Sequence, residues 1–133
     1  MLPDEYVQLA LRTESNAGKL TVEGHHQLPR LWHAGAGMAT EAGEFIDNLK
    51  KGTFCGKEFD YHNLAEEIGD MMWYVAVAVD ALNEVMPNGI TLEQIMRANI
   101  EKLRTRYPEK FTVEAGLNRD LDAERRTLEE HQS

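Results

Sequence analysis

The chain has 133 residues, with 14 Lys and Arg against 23 Asp and Glu, and its formal net charge is −9 at pH 7. This length suits one domain that can bury its own core, and we expect a single domain over residues 1–133. The negative charge disfavours sequence-independent binding to polymeric nucleic acid, which relies on a basic face to neutralise phosphates. A free nucleotide held through a metal ion remains compatible with it.

Cysteine content and the N-terminal residues bear on the compartment. Cys55 is the lone cysteine and cannot form an internal disulfide, and the first residues have neither a basic n-region nor an apolar h-region. The longest nearly apolar run, residues 71–82, is too short to span a bilayer. We therefore expect a cytoplasmic protein with no membrane partner.

The first half of the chain has the hydrophobic spacing of helices. A short helix is expected from about Pro3 to Arg12, followed by a loop from Thr13 to Gln27 that could lie over a site. The first long helix is expected from Leu28 to Lys50, and Gly52 and Gly56 punctuate the segment after it.

The second long helix is predicted from Tyr61 to just before the turn at Pro87-Asn88-Gly89. A capping box at Thr91 begins another helix, which should end at Tyr107-Pro108, and the segment from Asn118 to about Glu130 is expected to be a charged helical tail. No segment has the alternation of a strand. The predicted fold is an all-α bundle of four to five helices, with a core of about 28–108 and a charged tail of about 112–133.

Two acidic pairs lie on the two long predicted helices: Glu41 with Glu44, and Glu67 with Asp70. Residues three apart share one helix face. Four carboxylates facing one another in a groove would repel strongly unless cations lay between them. Because oxygen ligands suit hard cations, the pattern predicts a Mg²⁺ or Mn²⁺ site. The alternative is a set of solvated surface acids.

A polar stripe on the following helix consists of Asn99, Lys102 and Arg106. Such a stripe can point at an anion. The alternative is that the two cations complement the dipole at the end of their helix.

Taken in order, these motifs resemble the MazG-like branch of the all-α nucleoside triphosphate pyrophosphohydrolases, related to dimeric dUTPases and to phosphoribosyl-ATP pyrophosphohydrolase. The family pattern E-x-x-E, spacer, E-x-x-D stands here as Glu41-Ala-Gly-Glu44, 22 intervening residues, and Glu67-Ile-Gly-Asp70. The segment N-x-x-K-L-x-x-R-Y-P of small MazG-like proteins is present from Asn99 to Pro108. The tail from Leu117 to Arg125 is similar to the ending of stand-alone relatives from phages and bacteria.

The resemblance implies an enzyme that cleaves a nucleoside triphosphate between its α and β phosphates, releasing the monophosphate and pyrophosphate. It implies divalent metal, Mg²⁺ or Mn²⁺, on Glu41, Glu44, Glu67 and Asp70. The candidates for orienting water or accepting its proton are Glu41, Glu44 and Glu66, and Glu66 could equally be a metal ligand, a partner of one, or merely exposed. The expected phosphate contacts are Asn99, Lys102 and Arg106, and Tyr107 is a further expected substrate contact. His33 lies broadly on the helix face of Glu41 and could contact the base or ribose, and the alternative is a hydrogen-bonded or exposed histidine.

The apolar segment from Met71 to Leu82 is more than a small bundle would cover alone, which favours a homodimer or homotetramer. Relatives are typically dimers or tetramers. Within the enzyme class, a purine preference such as dGTP is possible, and the alternatives are a phosphoribosyl-ATP pyrophosphohydrolase or a dUTPase-like enzyme. An alternative of another class is a non-catalytic metal-binding module that interacts with another protein.

Overall fold

A computed structural model describes residues 1–15 and 22–131, so part of the predicted loop from Thr13 to Gln27 and the last two residues of the tail lie outside the described residues. Within these ranges the chain is helical and contains no strand, which confirms the all-α fold. Six helices follow in chain order: α1 (Pro3–Leu11), α2 (Leu28–Cys55), α3 (Tyr61–Val85), α4 (Leu92–Arg106), α5 (Val113–Leu117) and α6 (Leu121–His131).

Helix α2 is longer than the glycine pattern suggested, since it continues five residues past Lys50. Gly52 lies inside the helix, where its missing side chain leaves room for a ring: an added Cβ would lie 2.3 Å from Phe59. The helix ends instead at Gly56, whose φ of 65° is left-handed and costs glycine little. Only the second of the two glycines is therefore a stop signal.

The remaining helix ends follow local capping chemistry. Asp60 accepts a hydrogen bond from the backbone N–H of Asn63 at 3.0 Å and starts α3. The predicted capping box of α4 is present between Thr91 and Gln94. The short helix α5, which Thr112 caps, was not expected. The tail helix begins after it, at Leu121 rather than at Asn118.

Helices α2 and α3 form an antiparallel pair, and α1 packs on α3. A buried cluster joins Val7 of α1, Ala76 and Val79 of α3, and Leu92 at the start of α4. Beyond that point α4 packs mainly on α6 and α1 and has few contacts with the α2–α3 pair. This divergence determines which predicted site residues can meet within one chain.

An ion-pair cluster ties the start of α2 to the end of α3. The guanidinium of Arg30 donates to both oxygens of Glu14, at 2.8 and 2.6 Å, and lies 2.8 Å from Asp80. The hydrogen bonds to Glu14 and Asp80 raise the pKa of Arg30, so its guanidinium stays protonated. The pair of helices is thus held at the end opposite the loop that connects them.

The apolar segment of α3 is largely covered within the chain, because Ala76, Val77 and Ala81 are fully buried. This segment by itself therefore does not require a second subunit. In the described ranges, no helix combines the length and hydropathy that crossing a membrane requires.

Candidate active site

Three of the four predicted metal ligands converge where α2 and α3 pass each other. Glu41 of α2, and Glu67 and Asp70 of α3, each bring a carboxylate oxygen within 4.8 Å of the other two. One turn before Glu41, Gly37 is buried so tightly that an added Cβ would lie 2.1 Å from the ring of Tyr74. The absence of a side chain at residue 37 allows the two helices to approach closely beside the acids.

Charge crowding in this cluster is visible in the pKa of Glu41. That pKa is raised, first by partial desolvation and then by the neighbouring charges of Glu44, Asp70 and Glu67. Glu67 is only 5% exposed, so water can screen its charge little. A cation placed among these oxygens would relieve the repulsion.

The donor set fits a hard divalent ion. Oxygen ligands lie about 2.1 Å from Mg²⁺ in octahedral geometry, so neighbouring ligand oxygens are about 3.0 Å apart and opposite ones about 4.2 Å. Three oxygens within 4.8 Å of one another are close enough for side-chain movements to bring them to those distances. The set has no thiolate or imidazole, which also favours Mg²⁺ or Mn²⁺ over softer metals.

Glu44 and Glu66 lie outside this group of three. Glu44 lines an open groove of about 520 Å³ beside the cluster, together with Glu67, Lys51 and Lys57. Glu66 is exposed and has no hydrogen-bond or ion-pair partner within the part of the chain that the structure describes. Their predicted roles as ligand or base stay predictions.

The structure does not bring the polar stripe of α4 to the acids of the same chain. Arg106 donates to the carbonyl of Gly116 at 3.1 Å and lies over the ring of Tyr107, 5.0 Å from its centroid. Its Nε is buried 3.9 Å from Glu124 of α6 and has no hydrogen-bond partner among the described residues. Asn99 is exposed and Lys102 is half-buried. Within one chain the Arg106 end of the stripe therefore faces the tail helix.

Glu124 of α6 is a buried acid beside Arg106 that sequence reasoning did not single out. It is 4% exposed and accepts two hydrogen bonds from Arg119, at 3.2 and 2.6 Å. Arg119 foremost, with weaker contributions from Arg106 and Lys102, lowers its pKa. The sequence predicts a charged helical tail, and nothing in its periodicity marks one acid as buried.

His33 of α2 lies on an aromatic cluster formed with Trp73 and Tyr74 of α3. Its exposed ring packs edge-to-face on Tyr74, 5.5 Å between centroids, with Trp73 at 6.3 Å. The indole N–H of Trp73 is bonded to the carbonyl of Ala10 and the hydroxyl of Thr13. The aromatic surface is thereby anchored to α1, and His33 is available on its outer side.

Two carboxamides beside Glu67 were also missed. Asn63 donates to Glu67, and Asn48 donates to Asn63, each at 2.8 Å. The four-residue spacing from Asn63 to Glu67 was readable as a shared helix face. The contribution of Asn48 depends on how α2 lies against α3.

Comparison with known proteins identifies the family of this chain. A family model described as the MazG nucleotide pyrophosphohydrolase domain matches residues 33–111, more than half of the chain, and includes both acidic pairs and the segment from Asn99 to Pro108. The chain belongs to this all-α family of nucleotide pyrophosphohydrolases. Searches of curated proteins and of solved structures found no match.

Proposed function

We propose that this chain, acting as one domain, is a divalent-metal-dependent pyrophosphohydrolase that converts a nucleoside triphosphate to the monophosphate and pyrophosphate. The observation that carries the proposal is the convergence of Glu41, Glu67 and Asp70, three carboxylates brought within 4.8 Å across two helices. Three like charges at this spacing repel one another, and a cation bound between them would remove that repulsion.

Glu41, Glu67 and Asp70 would hold Mg²⁺ or Mn²⁺, with Glu44 as a further ligand from the groove. When bound, the ion would neutralise phosphate charge and make water a better nucleophile toward phosphorus. Either Glu44 or Glu66 can serve as proton acceptor for that water. Glu44 is favoured because it lines the groove next to the cluster, whereas Glu66 is not among the residues that line it.

The substrate's phosphates need cations, and Lys102 and Arg106 of α4 are the proposed ones. Since α4 diverges from the acids of its own chain, these cations would serve the site of a second copy. Two apolar surfaces support such packing: the exposed Met96, Ile100 and Leu103 on α4, and the exposed Ile46, Ile68 and Met72 on the α2–α3 pair. A homodimer or homotetramer would bury both surfaces and complete the phosphate site.

His33, on its aromatic support, is the proposed contact for the base or ribose. An exposed imidazole beside Tyr74 and Trp73 offers both a hydrogen-bonding edge and a stacking surface. Purine triphosphates, dGTP among them, are the first substrates to test. Asn99 and Tyr107 flank the proposed cations and would complete the phosphate contacts.

The test is pyrophosphate release from a panel of nucleotides that includes dGTP, dUTP and phosphoribosyl-ATP, with and without Mg²⁺. Glu41→Gln and Asp70→Asn keep side-chain shape but remove ligand charge, so each should nearly abolish metal-dependent turnover. Glu109→Gln changes an exposed acid without a described partner and is the matched control. Near-normal release by the first two variants would refute the proposed site, and metal binding without turnover of any nucleotide would favour the non-catalytic module.

A further inference from the structure

The side-chain amides of Asn48 on α2 and Asn63 on α3 form a chain of hydrogen bonds that ends at Glu67, here called the relay. Nδ2 of Asn48 donates to Oδ1 of Asn63 at 2.8 Å, and Nδ2 of Asn63 donates to Oε1 of Glu67 at 2.8 Å. We propose that Asn63, oriented by Asn48, is a positioning residue that fixes the Glu67 carboxylate for metal binding. This inference rests on the proposed function of the acidic cluster.

The backbone of Asn63 is fixed by the start of its helix. Its N–H donates to the side chain of Asp60, the N-cap of α3, at 3.0 Å. Four residues further on, Glu67 lies on the same helix face, so the amide needs little reorganisation to reach the carboxylate. The relay therefore begins from a rigid position.

Asn48 determines which end of the Asn63 amide faces Glu67. A carboxamide has a donor end and an acceptor end, and the wrong end would set an oxygen against the carboxylate. Because Asn48 donates to Oδ1 of Asn63, the NH₂ group of Asn63 is directed at Glu67. Asn48 itself is held near the carbonyl of Asp60, at 3.4 Å.

A neutral donor suits this position better than a cation. Glu67 is 5% exposed, and a buried carboxylate without a donor is poorly solvated and free to rotate. A lysine or arginine would satisfy it but would also compete with a metal ion for the same negative charge. An amide holds one oxygen and leaves the full charge of the carboxylate for the ion.

The experiment is calorimetric titration of the full chain with Mn²⁺ alone, with thermal unfolding to confirm that each variant is folded. Asn63→Ala should weaken Mn²⁺ binding by about 10- to 100-fold, the usual effect of losing a partner of a metal ligand. Asn83→Ala is the matched control: its Oδ1 accepts from the N–H of Ile90 at 2.9 Å, so its loss should lower stability but not Mn²⁺ affinity.

Asn48→Asp gives the sharper test because it keeps the shape and adds a negative charge. If only the attraction between the added negative charge and the cation mattered, this variant would bind Mn²⁺ more tightly. The relay predicts weaker binding, since a carboxylate can only accept and would turn the NH₂ group of Asn63 away from Glu67. This variant also decides the matter if Asn63→Ala does not fold.

The outcomes separate the two proposals. Loss of affinity in Asn63→Ala and Asn48→Asp, with Asn83→Ala at the wild-type value, would establish the relay. Wild-type affinity in both relay variants would overturn the relay and leave the metal site intact. Failure of the wild-type chain to bind Mn²⁺ at millimolar concentration would overturn the metal site itself, and the relay with it.

Discussion

Replacing Gly37 by alanine should destabilise the protein by forcing α2 and α3 apart beside the acids. The new Cβ would lie 2.1 Å from the ring of Tyr74. An ordinary carbon–carbon contact is about 3.5 Å, so the ring or the helix must move by about 1.4 Å. The ring has little freedom, since it packs at right angles against Trp73, 5.0 Å between centroids.

The change in unfolding free energy caused by Gly37→Ala is the sum of two opposing effects. Overpacking of this kind costs about 1 to 3 kcal/mol. Replacing glycine by alanine inside a helix returns about 0.5 to 1 kcal/mol. Gly35→Ala on the same helix is the matched control, because its Cβ would meet no atom of the described residues within 4 Å. The difference in unfolding free energy between the two variants therefore isolates the clash, about 1 to 3 kcal/mol, with Gly35→Ala the more stable.

Urea unfolding of both variants gives this difference directly, provided that the two variants have the same slope of unfolding free energy against urea concentration. Gly37→Ala should also weaken Mn²⁺ binding, because Glu41 lies one turn further along the displaced helix. Equal stability of the two variants would show that α2 and α3 do not meet at this point, and the argument for convergence of the acids would fail with it.

Three further predictions concern the charges and the assembly. Lys102→Ala and Arg106→Ala should each reduce kcat/KM by an amount equivalent to about 1.5 to 3 kcal/mol and leave Mn²⁺ binding unchanged. Arg106→Lys should recover only part of the loss, because an ammonium lacks the two-pronged geometry of a guanidinium. Wild-type kinetics in both alanine variants would show that these residues are ordinary helix-end cations. Glu41→Gln should leave the metal-free melting temperature equal or raise it at pH 7, because the raised pKa of Glu41 makes its charged form a penalty on the fold. That penalty is complete above the raised pKa and is gone below the ordinary value of 4.5, so any gain should disappear by about pH 4, and a gain that persists there would contradict the repulsion argument. Light scattering at micromolar concentration should report a dimer or tetramer, whereas a 15.1 kDa monomer with full activity would refute a shared phosphate site.

Helical spacing alone was sufficient to predict the fold class and the local face of each motif. The periodicity of the apolar residues indicated an all-α chain, and the capping box at Thr91 was readable because capping depends on neighbours within one turn. The three-residue spacing within each acidic pair likewise placed both members of the pair near one face, since that relation is a property of any α-helix.

Only the tertiary structure decided which residues meet. Glu41, Glu67 and Asp70 converge while Glu44 lies along the groove, because the register of α2 against α3 depends on packing such as the fit of Tyr74 onto Gly37. The burial of Glu124 beside Arg106 depends equally on how the tail helix packs on α4. Spacing along one helix is set by the backbone geometry of that helix, but register between helices is set by side-chain shapes distant in sequence, which no local pattern records.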